Sequence, residues 1–158
     1  MEDTLLVQII VAAIAFLGLC LSICNLILRY IDQKPQIKVT NTTLIIGQPG
    51  IGIISPLHIT ITAKNIGIIP VHLSSCGIIL PNKKILQFIG PDKYTLKSLP
   101  TTLLPGQSID ISREFISLAK DLREEGYSRT IKIKAYFRDQ IDNIFKSKSF
   151  KFEIERWK

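Results

Sequence analysis

The chain has 158 residues, 20 Lys and Arg against 13 Asp and Glu, and a formal net charge of +7. Two of its three cysteines, Cys20 and Cys24, lie inside one apolar run, which leaves Cys76 alone and excludes a disulfide framework elsewhere. Residues 36–158 suffice for one hydrophobic core and exclude a second domain.

The first element is "LLVQIIVAAIAFLGLCLSICNLIL", Leu5 to Leu28, with no charged side chain. As a helix it reaches roughly 36 Å, against about 30 Å for the hydrocarbon core of a bilayer. A secretory signal has a basic start and a small-residue cleavage site. Here Met1-Glu2-Asp3-Thr4 is acidic, and Arg29 to Pro35, which follow the run, carry no A-x-A pattern. A buried globular helix would need a larger body than the rest of the chain provides. The run therefore reads as a transmembrane helix over 5–28 that takes membrane lipid as its partner, with 1–4 outside the span and 29–35 as a juxtamembrane linker.

Every Lys and Arg lies at or after Arg29, and Arg29, Lys34 and Lys38 flank the C-terminal side of the span beside Tyr30. Basic residues accumulate on the cytoplasmic side. The expected arrangement is a single-pass protein of the cell membrane, residues 1–4 a short extracytoplasmic N-terminus and the C-terminal domain cytoplasmic; the alternative for that domain is extracytoplasmic. The unpaired Cys76 fits a reducing compartment. Within the span, Gln8, Ala15, Gly18, Ser22 and Asn25 recur at helix-pairing spacing, together with Val11 and Arg29. Small residues permit close approach of backbones, and Gln8 and Asn25 offer hydrogen bonds, so this stripe is a candidate for a helix–helix oligomer.

Pro35 ends any helix leaving the span. After it the period becomes two. Ile37 and Val39 alternate with polar neighbours, and in "LHITITAKN" Leu57, Ile59, Ile61 and Ala63 take one face while His58, Thr60, Thr62 and Lys64 take the other. Asn65-Ile66-Gly67 reads as a turn before "IIPVHLSS" and "CGIIL", whose Pro70 places that strand at an edge or beside a bulge. Pro81-Asn82-Lys83-Lys84 and Pro105-Gly106 read as further turns. "SLAKDLREEGYS" breaks the pattern with a short helix near 117–125, capped by Ser117 and ended by Gly126, lying across the end of a sheet. A closing hairpin follows. Ile131, Ile133, Ala135 and Phe137 alternate on one strand. On the return strand Phe145 and the set Phe150, Phe152 and Ile154 fall on opposite parity, which a bulge near Ser147 would reconcile. Lys132, Lys134, Lys146, Lys148 and Lys151 then give the outer face a basic character.

Seven or so short strands with turns at even spacing imply a mainly β fold: a transmembrane helix followed by an antiparallel β-sandwich with one short helix. The order "ITAKNIGIIPVHL", "LLPGQSIDI", small helix, "IKIKAYFRD" and "FKSKSFKF" resembles the immunoglobulin-like domains of uncharacterised bacterial single-pass membrane proteins. Asn65-Ile66-Gly67 and Leu103-Leu104-Pro105-Gly106 are the residues that carry the resemblance, which covers the soluble part alone. Ala63 and Ala135 stand where related antibody-type domains carry bridging cysteines, and the single Trp157 lies at the chain end, not on a central strand. Tyr127 after Gly126 resembles a tyrosine corner, with ordinary packing as the alternative.

The chemistry-bearing residues are sparse. His58 and His72 lie on different strands, and a metal between them is the alternative to ordinary strand histidines. Asp139 and Asp142 bracket a turn and read as its local hydrogen-bond acceptors rather than a cation site. Asp121, Glu124 and Glu125 with Lys120 and Arg123 read as the solvated face of the short helix. "GQPGIG" at 47–52 lacks the Lys-Ser/Thr of a phosphate loop and reads as a flexible connection. Asn41-Thr42-Thr43 is a formal glycosylation sequon, relevant only to a lumenal domain. No nucleic-acid motif accompanies the positive charge, and no cofactor is expected. The sequence favours a membrane-anchored, non-catalytic protein-interaction module over an accessory subunit assembled through its helix, with an enzyme as a weaker third reading.

Overall fold

The computed structural model describes residues 2–44, 47–48, 52–53, 57–90 and 98–157. Helix α1 spans Glu2–Asp32 and so continues past Leu28 into the expected linker. The stretch Val7–Ile31 is long and apolar enough to cross a membrane, and none of its residues is buried inside the rest of the chain. Gln33 N–H still donates to Arg29 O at 3.0 Å, and the helix stops before Pro35. A proline disfavours helical geometry at the residue before it, which accounts for the stop.

The strands follow in order. They are β1 (Ile37–Leu44), β2 (Gly47–Gln48), β3 (Gly52–Ile53), β4 (His58–Asn65), β5 (Val71–Ile79), β6 (Ile85–Gln87), β7 (Thr101–Leu103) and β8 (Ser108–Glu114). Helix α2 (Phe115–Glu124) precedes β9 (Thr130–Asp139), β10 (Ile144–Lys146), β11 (Phe150–Glu153) and a 3-10 turn at Ile154–Arg156. One sheet has the order β1-β4-β8. The other runs β10-β9-β5-β6, with β11 also on β9 and β7 also on β5, and all these pairs are antiparallel. First, second and fifth main strands in one layer against third, sixth and seventh in the other is the immunoglobulin-like arrangement. The glycine-rich stretch expected to be a loop contributes the short β2–β3 pair, and residues 49–51 lie outside the described residues.

The inward positions are those of the sequence pattern: Ile59, Ile61 and Ala63 on β4, Ile109 and Ile111 on β8, Leu73 and Ile78 on β5, Ile133, Ala135 and Phe137 on β9. Ala63 and Ala135 are fully buried, on β4 and β9 of opposite layers. Two bulges flank β9. On β5 the register slips between Leu73 and Ser75, so the inward residues change from odd (Val71, Leu73) to even (Cys76, Ile78). Pro70 sits just before this strand, which is central and not an edge; of the two alternatives the sequence offered, the bulge is the one present. On the last strand Phe145 pairs with Phe137 but Phe150 pairs with Ile133, a slip of one residue around Ser147. Each bulge is stitched by a serine. Ser74 Oγ donates to Arg138 O and Asp139 O at 3.1 and 2.9 Å. Ser147 Oγ accepts from Ala135 N–H at 2.9 Å and donates to Lys148 O at 2.8 Å.

Helix α2 begins two residues before Ser117, at Phe115. The expected cap is not needed, because Phe115 N–H donates across to Leu57 O at 2.9 Å; Ser117 instead reaches Glu114 Oε2 at 3.4 Å. The C-terminus behaves as the sequence indicates. Gly126 takes φ +87, its N–H donates to Arg123 O, and Tyr127 N–H donates to Leu122 O, a Schellman ending. The helix carries the chain from one sheet to the other and buries Leu118, Ala119 and Leu122. Its charged side is not simply solvated. Asp121 pairs with Arg113 at 3.0 Å, Glu125 with Lys84, and Arg123 donates to Ile154 O at 3.1 Å and to Trp157 O.

Candidate binding face

The outer face of the β10-β9-β5 layer carries a groove of about 520 Å³. Its apolar lining is Ile79, Leu80, Pro81, Ile85 and Ile144, and its cationic lining is Lys83, Lys132, Lys134 and Lys146. The register explains the gathering. Lys134 lies opposite Ile79 of β5, and the β10 register sets Lys146 beside Tyr136 on the same outward parity. Lys151 lies directly opposite Lys132 and is exposed on the same face, while Lys148 sits in the bulge; neither lines the groove. The structure therefore brings together three of the five lysines marked in the sequence and adds Lys83. That residue occupies the turn between β5 and β6 with φ 66, and its part in this face is set by the β5–β6 hairpin, not by any local pattern.

Beside the groove, Tyr136 points outward yet is 1% exposed. Burial pushes its phenol above the ordinary value of 10.0, the neighbouring Cys76 adds to the rise, and Arg138 and a hydrogen bond with Ser75 oppose it. Opposite Tyr136 stands Gly77, where an added Cβ would lie 2.1 Å from Leu86 O, so only glycine permits β6 to pass this close.

The other candidates separate. His58 is buried on β4, 3.8 Å from Glu114 on the adjacent strand, and is in the other sheet from His72. His72 is exposed on β5, its Nδ1 2.6 Å from Thr102 Oγ1. Among the described residues no group of three His, Cys, Asp or Glu is arranged to hold a metal ion. The Asp139 carboxylate accepts from Ile141 N–H, Asn143 N–H and Asn143 Nδ2 at 3.0, 2.8 and 2.8 Å, so it organises its turn. A second cleft, of about 530 Å³ beside β7, offers hydroxyls and amides from Ser98, Thr101, Thr102, Gln107 and Ser108, with no acid, base or imidazole among the described residues that line it. On α1, Gln8, Ala15, Gly18, Ser22 and Asn25 all lie exposed within an arc of about 100° at 3.6 residues per turn. Ser22 Oγ donates back to Gly18 O at 2.9 Å, and a Cβ at Gly18 would meet nothing within 4 Å.

The two turns singled out in the sequence meet through one side chain. Asn65 is fully buried; its Nδ2 donates to Ile69 O and Leu103 O at 2.7 and 2.9 Å, and its Oδ1 accepts from Gly67 N–H at 3.0 Å. Its backbone carbonyl accepts from Gly106 N–H, the φ +80 residue of the Pro105-Gly106 turn. Neither turn alone shows this link.

Fold and face together define a class: an apolar helix of membrane-spanning length joined to an immunoglobulin-like sandwich with a cationic groove on its larger sheet. No protein-family model and no curated protein matches the chain. Seven solved chains match. One is the X-ray structure of the Northeast Structural Genomics Consortium target SoR45, 16% identical, with 74% of this chain and 86% of that chain covered and a TM-score of 0.36.

Proposed function

We propose that the chain is a single-pass membrane protein, akin to the bacterial membrane-anchored immunoglobulin-like proteins it resembles, whose sandwich is a non-catalytic adaptor on the cytoplasmic side. Its groove takes an acidic, partly apolar segment of a protein partner. One observation carries this reading: four lysines surround an apolar floor on a sheet face that neither helix lines. Apolar contact supplies area, and the cations supply attraction and register for carboxylates. The cytoplasmic placement is supported by Arg29, Lys34 and Lys38 on the C-terminal flank of the span.

The test uses the full-length chain in nanodiscs and a fluorescent peptide alternating Glu and Leu. Binding should be measurable at low salt and weaken steeply as salt rises. Combined Lys132→Glu, Lys134→Glu and Lys146→Glu should lower affinity at least tenfold. Equal binding by this triple variant and the natural chain, or no binding at low salt, overturns the reading.

A second reading keeps the anchor but gives recognition to α1, as an accessory subunit of a membrane complex. The uncovered stripe from Gln8 to Asn25 supports it. Gly18→Leu with Asn25→Leu should then abolish crosslinked oligomers or complexes while insertion persists.

A further inference from the structure

The sandwich has one end at which α1 enters, and the register identifies what else lies there. Ile37 pairs with Asn65, Lys64 with Ser108, Val71 with Leu103 and Leu73 with Asp139. The turns at 66–70, 104–107 and 140–143 are thus all at the entry end. On their tips Ile66, Ile68, Leu104 and Ile141 are 55%, 65%, 50% and 77% exposed. The other exposed large aliphatic residues of the described sandwich are Ile85 and Ile144 in the groove and Ile89 and Ile116 apart from it. Three turns distant in sequence each present isoleucine or leucine to the same side, where turn residues are ordinarily polar.

That side is tied closely to the span. Gln36 O accepts from Ile66 N–H at 2.9 Å, and Gln33 and Pro35 line one cleft of about 250 Å³ with Ile69, Pro70 and Ile141. Between Ile31, the last residue of the apolar window, and Ile37, the first of β1, even a fully extended chain covers only about 20 Å. Two exposed lysines, Lys38 and Lys64, are also set directly opposite each other across β1 and β4 near this end. Like charges so placed repel in water and are favoured beside anionic headgroups.

We propose that this end of the sandwich docks on the surface of the bilayer that α1 crosses. The four aliphatic tips enter the boundary between headgroups and acyl chains, and Lys38 and Lys64 approach lipid phosphates. The strands then stand away from the lipid, and Lys134 and Lys132, five and seven residues along β9 from Asp139, are held roughly 16–23 Å above the turn. The proposal rests on α1 being a membrane span.

Trp157, at the opposite end against Phe115, is the only tryptophan and a built-in control. The full-length chain is reconstituted in phosphatidylcholine–phosphatidylserine vesicles containing acyl-brominated lipid. Ile68→Trp and Ile141→Trp are each introduced with Trp157→Phe, and the natural chain reports from Trp157. Both reporters should emit at shorter wavelength than Trp157 and be quenched several-fold more. Reporters quenched no more than Trp157, in chains that float with the vesicles, overturn the docking and leave the span intact. Chains that do not float with the vesicles overturn the span itself.

Discussion

Asn65 ties together segments that are distant in sequence. Its amide holds the carbonyls of Ile69, in the turn after β4, and Leu103, at the end of β7 and 38 positions from Asn65. Replacement by Ala leaves those buried acceptors and the Gly67 N–H without their partner, a loss of roughly 2–4 kcal/mol. Chemical denaturation of Asn65→Ala should show it, while Asn82→Ala, at an exposed turn, should cost less than about 1 kcal/mol. Each turn was legible from Asn-x-Gly and Pro-Gly, but the bond between them was not, because local patterns carry no record of distant pairing. Tyr136 makes the other prediction at this scale. Below its ordinary value of 10.0 the phenol is neutral folded and unfolded alike. As pH rises from there through the raised folded-state value, unfolding releases a proton and stability declines. Thermal melts taken upward from pH 9 should fall more steeply for the natural chain than for Tyr136→Phe.

At the scale of elements, the two serine-stitched bulges decide which way the β9 neighbours face. The parity conflict between Phe145 and Phe150 announced the second bulge in the sequence, since both rings need the core and a straight strand can bury one. The β5 bulge was one of the two alternatives that Pro70 left open, but its place between Leu73 and Ser75 was not legible, because "HLSSCGII" sets no two large side chains in conflict. Ser147→Ala removes the acceptor for the buried Ala135 N–H and should destabilise by about 1–3 kcal/mol, whereas exposed Ser149→Ala should change unfolding free energy by less than about 0.5 kcal/mol. The start of α2 escaped sequence reading for a related reason. A carbonyl from β4's approach, Leu57, does the work expected of Ser117. The glycine end was legible because its left-handed backbone has a residue-type signature.

For the whole molecule, the sequence conveyed the division into an apolar helix and an antiparallel sandwich, since both rest on periodicity. It conveyed the basic groove only in part, because Lys83 reaches it through the β5–β6 hairpin. Orientation is open to direct measurement. With Cys20→Ala, Cys24→Ala and Cys76→Ala, an added Asn82→Cys should resist a membrane-impermeant maleimide in intact cells and react after permeabilisation. Labelling before permeabilisation would place the sandwich outside and bring the Asn41-Thr42-Thr43 sequon and the basic groove into a different setting.

The passage from α1 to β1 has no slack: the helix ends at Asp32, the strand starts at Ile37, and Gln36 is already fastened to Ile66. A flexible leash would let the sandwich tumble while the helix stayed still. A stiff joint would couple the two mechanically, so that, with α1 in a bilayer as proposed, a tug on the groove would be felt there as tilt or rotation of the helix. A stripe of small residues on that helix would then change its azimuth whenever the sandwich is loaded.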